Sequence, residues 1–272
     1  MKNVIKITFL VLILIGLSAI VYGKIQYDNN IKSAGEVAQA NYEQYLKDSA
    51  EKKEKELADK KAEEKRIYES HKGDTLTYYP MGDSLAEGAF ATKEETKYVS
   101  VLTDLIEEKL GYVVQLENGA VRSGTGLKNG ALPNIQNLIA LEPDLVTIQF
   151  GNNDYIEKFE DSYSTNEEFK ERLEYLIDEI QTNSKSTKII IVTTWNSGGT
   201  SLELDRIING VGKSKNVEVA NIQSVWQYRD DTYGPKGYKV YNGGESDGWH
   251  PNDKGHAEIA TKIFEKAYEL LK

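Results

Sequence analysis

Cysteine is absent from the chain. That excludes disulfides, thiolate metal sites, a cysteine nucleophile and the thioether lipid anchor of a lipoprotein. Histidine is nearly absent, at three residues, His71, His250 and His256, so chemistry that needs an imidazole has only three candidates. Positive charge is in deficit: 33 Lys and Arg stand against 43 Asp and Glu, for a net charge of -10. A nucleic acid backbone is repelled by such a surface, and nucleic acid is excluded as a partner. No cluster of His, Asp and Glu has metal-ligand spacing, so no metal site is expected. What is present, 272 residues, suffices for one large domain or two small ones with a real core.

Charge is missing altogether from Ile7 to Gly23, a 17-residue run dense in Ile, Leu and Val, with Lys2 and Lys6 before it and Lys24 after it. As a helix it runs about 26 Å, slightly short of a hydrocarbon core of about 30 Å unless Val4 and Ile5 join it. An uncleaved signal anchor over residues 1–23 is the expectation. A cleaved signal peptide stays open, with Val21-Tyr22-Gly23 as a poor small-x-small site, and so does a buried core helix. The leading lysines predict an N-terminus inside and the rest of the chain outside the cell membrane, or secreted if the segment is cleaved.

Residues 24–74 hold 11 basic and 12 acidic side chains and hardly any Gly or Pro. Runs such as Glu51-Lys52-Lys53-Glu54-Lys55-Glu56 favour solvated helix with i,i+4 ion pairs, and apolar residues are too sparse for a heptad seam. A helical stalk is expected there, His71 included. With the stalk and the two leading lysines set aside, residues 75–272 keep 20 basic and 31 acidic groups, so a charge of -11 belongs to the folded part.

Beyond residue 75, short apolar runs alternate with amphipathic stretches. Strands are expected at Thr75 to Met81, Tyr112 to Leu116, Asp144 to Phe150, Lys188 to Thr194 and Val217 to Ile222. Ile189-Ile190-Ile191-Val192 has no polar alternation, as a strand buried on both faces should look. Helical patterns cover Lys97 to Leu110, Pro133 to Leu141, Asn166 to Gln181, Ser201 to Val211 and Asp253 to Leu271. The alternation predicts a five-stranded parallel sheet with helices on both faces and a site at the carboxyl ends of the strands.

The polar residues that carry chemistry fall at those ends. Gly82-Asp83-Ser84-Leu85 follows the first strand and places a serine where a helix start can expose its hydroxyl. After the second strand comes Asn118-Gly119-Ala120-Val121-Arg122-Ser123-Gly124-Thr125-Gly126, and after the third Gly151-Asn152-Asn153-Asp154. Glycine lets a backbone N–H approach a reacting oxygen, and an asparagine amide donates to the same point. Ahead of the last helix, Asp247-Gly248-Trp249-His250 spaces a carboxylate so that it can hold one ring nitrogen while the other faces a serine. His256, six residues on, reads as a surface or packing residue.

These four blocks, in this order, resemble those of the SGNH hydrolases, the GDSL-type esterases and lipases. Gly82-Asp83-Ser84-Leu85, Gly124, Gly151-x-Asn153-Asp154 and Asp247-x-x-His250 match them in turn, over about residues 75–272. The resemblance implies a flavodoxin-like three-layer α/β/α sandwich with Ser84 as nucleophile and His250 and Asp247 completing a triad. It also implies an oxyanion hole from the N–H groups of Ser84 and Gly124 and the side chain of Asn153, with no cofactor. Gly119 and Gly126 compete with Gly124 for its role, and Pro80 departs from the usual aliphatic first strand.

The reaction so implied is ester hydrolysis through an acyl-serine. With the domain held outside the membrane, the expected substrate is a short acyl ester, O-acetyl above all, on cell-surface carbohydrate, since no long apolar lid lies between the blocks. The 17 tyrosines, with Trp195 and Trp249 near strand ends, would suit sugar rings. An O-acyltransferase with the same triad, a lipase or lysophospholipase acting on membrane lipid esters, and a silent tethered scaffold are the alternatives.

Overall fold

The computed structural model describes residues 2–196, 198–241 and 243–272, and of residues 2–5 the backbone alone. Met1 of the expected anchor segment lies outside the described residues. Two compact units are present, Met1–Glu63 and Glu64–Lys272.

The first unit is helical and carries most of α1 (Lys2–His71). Its apolar stretch leaves Ile7, Phe9, Leu10, Leu12 and Ile15 exposed, and the helix is long and apolar enough to cross a membrane. Further along, Lys47 and Lys52 face Glu51 and Glu56 at 3.9 and 3.8 Å, the i,i+4 pairs that this composition favours.

The second unit begins at Glu64 rather than at residue 75, because the end of α1 packs instead of standing in solvent. Ile67 is 2% exposed and joins the core, and His71 stacks on Tyr112 with ring centroids 4.4 Å apart. From there the chain alternates: β1 (Thr75–Gly82), the one-turn helix α2 (Ser84–Glu87), α3 (Tyr98–Leu110), β2 (Val113–Leu116) and β3 (Ala120–Val121). Tight turns over Leu127–Asn134 lead into α4 (Ile135–Leu141) and β4 (Leu145–Gln149). Then come α5 (Asn166–Asn183), β5 (Lys188–Val192), α6 (Gly199–Lys215), β6 (Glu218–Ala220) and α7 (Gln223–Trp226). A small hairpin of β7 (Lys239–Val240) and β8 (Gly244–Glu245) precedes α8 (Asp253–Leu271).

All five expected strands and all five expected helices form, with ends shifted by a few residues. Pro133 illustrates the shifts: it lies in a 3-10 turn, and α4 starts two residues later. The strand order is β2-β1-β4-β5-β6, all parallel, and β3 pairs with β1 beyond the end of β2. β2 and β3 thus form one interrupted edge, which leaves five strand positions in the flavodoxin-like order.

Pro80 fits a central strand because of that interruption. On the β2/β3 side β1 pairs through residues 75–78 and again at 81–82. The proline nitrogen falls in the gap, where no ladder bond is required of it.

Alternation along the strands divides the core in two. Leu76 and Tyr78 of β1, with Ile190 and Val192 of β5, face α3, α7, α8 and the end of α1. Tyr79, Met81, Val146, Ile148, Ile189 and Ile191 face α4, α5 and α6. A sheet buried on both faces accounts for the unbroken Ile-Ile-Ile-Val run. The connections from β1 and β4 leave to opposite sides, so the crevice at their carboxyl ends is the topological switch point, where open sheets of this kind bind ligands.

Ile67→Ala should destabilise the second unit by about 2–4 kcal/mol, since a buried side chain of this size leaves a cavity. Thermal unfolding of the full chain checks it, and an unchanged Tm would mean that the end of α1 does not dock.

Candidate active site

Gly82 ends β1 because only a residue without a side chain fits: a Cβ there would lie 2.5 Å from that of Ala86 and 3.0 Å from the carbonyl oxygen of Gln149. Asp83 then caps α2, accepting from the Leu85 N–H at 3.0 Å. Ser84 is thereby the first residue of the helix, its hydroxyl on a cavity of about 470 Å³.

His250 reaches the same cavity from the loop before α8. Its Nε2 lies 2.9 Å from Ser84 Oγ and its Nδ1 2.7 Å from Asp247 Oδ2. The other Asp247 oxygen accepts from the Trp249 and His250 amides at 2.9 and 3.0 Å, so the carboxylate is locked before it meets the ring. With Nδ1–H donating to Asp247, Nε2 is left to accept from the serine hydroxyl. Burial pushes the His250 pKa below its ordinary value against the pull of Asp247, so the ring is neutral at neutral pH. Burial also raises Asp247, but the two amides and the imidazole outweigh it and leave the carboxyl below its ordinary range.

Gly124 and Asn153 line the cavity as well. The Gly124 backbone is left-handed, with φ +76°, and among the described residues neither its N–H nor that of Ser84 is taken by a hydrogen bond. Asn153 donates one amide hydrogen to the Thr125 carbonyl at 2.9 Å, which ties it to the glycine loop and leaves the other hydrogen for a ligand. The competing glycines serve packing. A Cβ on Gly119 would sit 1.9 Å from the Pro80 carbonyl oxygen, and one on Gly126 would sit 2.6 Å from the Asp154 carboxylate.

Several supporting residues carry no role that the sequence pattern reveals. Asp154 accepts from Leu127 N and Gly151 N, each at 2.9 Å, and so fastens the loops after β3 and β4 together; burial raises its pKa to about 6. Asn152 exchanges two hydrogen bonds with the Trp195 backbone, at 3.0 and 3.1 Å, which joins the ends of β4 and β5. The Phe90 and Trp249 rings each lie 4.6 Å from the His250 ring, centroid to centroid, Phe90 tilted and Trp249 edge-on. The block Gly151-Asn152-Asn153-Asp154 stands out in the sequence, but the clamps it forms do not, since they depend on which loops meet.

His256 is a packing residue. It is fully buried, its Nδ1 accepts from Tyr98 N at 3.3 Å and its Nε2 donates to the Ala89 carbonyl at 3.1 Å, which braces the loop carrying Phe90. Burial lowers its pKa to about 4, so it is neutral in the folded protein. Asp83 is the opposite case: burial raises its pKa to about 7 against the pull of the Leu85 N–H and the Gln149 side chain, and among the described residues nothing meets Oδ2 in hydrogen-bond geometry.

Residues 78–263 match the family described as GDSL-like Lipase/Acylhydrolase. Among solved structures, a family 3 carbohydrate esterase from Clostridium thermocellum is similar in fold, with TM-score 0.59, 19% identity, and coverage of 73% of this chain and 98% of that one. An acetylxylan esterase from Geobacillus stearothermophilus, in a catalytic mutant form, gives TM-score 0.55 at 18% identity, covering 72% and 94%. An α/β hydrolase from the metagenome of Lake Arreo gives 0.57 at 18%, covering 75% and 99%. No curated protein matches the chain in sequence.

Two outcomes follow from the titrating groups. With His250 as the proposed base, which must be neutral to accept a proton and whose pKa lies below the ordinary 6.5, the acid limb of kcat/KM should have its midpoint below pH 6.5; a midpoint at about 7 or above would contradict the burial argument. For Asp83 the folded pKa, about 7, exceeds the ordinary 3.8, so its ionisation costs stability as pH rises through that window. Asp83→Asn should therefore gain stability over the parent between about pH 4 and pH 8, by up to about 4 kcal/mol, in paired denaturation curves.

Proposed function

The chain belongs to the GDSL-like lipase/acylhydrolase family and is an ester-hydrolysing serine hydrolase, and on that premise we propose that it removes short acyl groups, O-acetyl above all, from carbohydrate outside the cell membrane. The observation that carries the catalytic assignment is the relay from Asp247 through His250 to Ser84, with contacts of 2.7 and 2.9 Å.

Ser84 Oγ attacks the ester carbonyl while His250 Nε2 takes its proton, and Asp247 stabilises the imidazolium. The tetrahedral oxyanion is received by the N–H groups of Ser84 and Gly124 and the free amide hydrogen of Asn153. Collapse expels the alcohol, which takes the proton from His250 and leaves an acyl-serine. Water then gives a proton to His250 and attacks the acyl carbon, and collapse breaks the bond to Ser84 Oγ, which takes that proton back as the acid is released.

Support for a carbohydrate ester comes from the cavity, which Phe90, Tyr155 and Trp249 line, and from fold relatives that are carbohydrate and acetylxylan esterases. The apolar helix at residues 7–23, preceded by lysines, supports a signal anchor or signal sequence and a domain outside the membrane. A second reading, hydrolysis of longer acyl esters, has one observation in its favour: Phe90, Ile156 and Phe159 give the cavity an apolar wall longer than an acetyl group needs.

The test is the full chain in detergent, assayed on p-nitrophenyl esters from acetate to palmitate. Activity should be highest on acetate and fall with chain length; a maximum on octanoate or a longer ester would favour the second reading. Ser84→Ala and His250→Ala should abolish turnover with circular dichroism unchanged. Asn153→Ala should lose a factor of about 100 to 1,000 in kcat, the usual effect of one oxyanion donor. Full activity in any of these variants would overturn the assignment.

A further inference from the structure

Beside the catalytic cavity, at the carboxyl ends of β5 and β6, lies a second depression of about 530 Å³ bordered by Asn196, Trp226, Tyr228, Arg229 and Tyr233. The two adjoin at one shared residue. Asn196 lines both, its carbonyl accepts from Trp249 Nε1 at 2.6 Å, and Tyr233 bridges to Pro251, next to His250.

Tyr228 stands at its rim, 98% exposed, with its backbone in the left-handed region at φ +58°. A bulky side chain there is an outlier, and a ring this exposed gains little packing from the described residues to offset it. The surrounding frame is tightly held. Trp226 is buried with Nε1 donating to the Thr194 carbonyl at 3.1 Å, and Gln227 N donates to the Gln223 carbonyl at 2.8 Å. Arg229 forks onto Asp231 at 2.7 and 3.1 Å and onto Glu258 at 2.9 and 3.1 Å. The ring is therefore presented to solvent on a fixed support, which reduces the ordering cost of binding.

We propose that this depression is a subsite for a neutral pyranose chain, with Tyr228 as the stacking platform for a sugar beyond the one whose ester faces Ser84. The inference rests on the esterase reading and names its alcohol component. An exposed aromatic ring offers an apolar face to the C–H face of a sugar while its hydroxyl stays wet. The chain it takes is neutral, because the Arg229 charge is already met by two carboxylates, Asp230 lies alongside, and the folded part is acidic. A lipid surface fits poorly, since of the three rings bordering the depression only Tyr228 is exposed, and it stands among Gln227, Arg229 and Asp230, which makes no apolar patch.

The experiment compares kcat/KM of the full chain in detergent on O-acetylated xylohexaose and cellohexaose, on a singly acetylated monosaccharide and on p-nitrophenyl acetate. At least one hexamer should exceed the monosaccharide about tenfold or more. Tyr228→Ala should remove most of that gain through KM, and Tyr228→Phe should keep it. Tyr228→Asn, which suits a left-handed backbone, should lose the gain while melting no lower than the parent, which separates binding from folding. The subsite is overturned if neither hexamer exceeds the monosaccharide, or if Tyr228→Ala changes hexamer and p-nitrophenyl acetate rates by the same factor. An inactive parent on p-nitrophenyl acetate overturns the esterase reading itself, and the subsite with it.

Discussion

A hydroxyl and an imidazole 166 residues apart in the chain are held 2.9 Å from each other, and much of the second unit serves to keep them there. Neither end of that contact is placed by local structure alone. Ser84 depends on β1 stopping at Gly82 and on the Asp83 cap, while His250 depends on a loop fixed by Asp247 and by the start of α8. Between them runs the sheet, whose order puts the ends of β1 and β4 side by side.

The electrostatics of this arrangement carry a cost. Asp83, Asp154 and His256 are all buried, and burial drives each toward its neutral form, with pKa values of about 7, 6 and 4. Asp154 meets part of that cost with two backbone amides and gains a fastening between loops. Asp83 satisfies one oxygen as a helix cap, and among the described residues the other meets no partner in hydrogen-bond geometry. The proposed catalytic base differs from all three: partial burial keeps His250 neutral, and the locked Asp247 keeps it oriented.

Much of the fold was legible because hydrophobic period and loop composition are local. The Ile189–Val192 run reads as a doubly buried strand without reference to anything distant, and Asp247-x-x-His250 spans a turn short enough for its own side chains to meet. Other features were not legible. The docking of Ile67 is invisible in a stretch whose neighbours are Glu and Lys, because one apolar residue makes no periodic signal. What lies opposite Gly119, Gly124 and Gly126, a carbonyl, a cavity and a carboxylate in turn, is likewise invisible in the sequence.

By itself the sequence determined the alternation of strands and helices, the apolar and charged character of the N-terminal segments, and the residue types able to carry acyl transfer. Each of these follows from neighbours along the chain. Only the tertiary structure decided that Pro80 sits in a gap between two edge strands, that His256 is a brace, and that Tyr228 stands exposed beside the candidate catalytic cavity. Those outcomes depend on contacts between segments far apart in sequence, and no local pattern of side chains encodes which surfaces will meet.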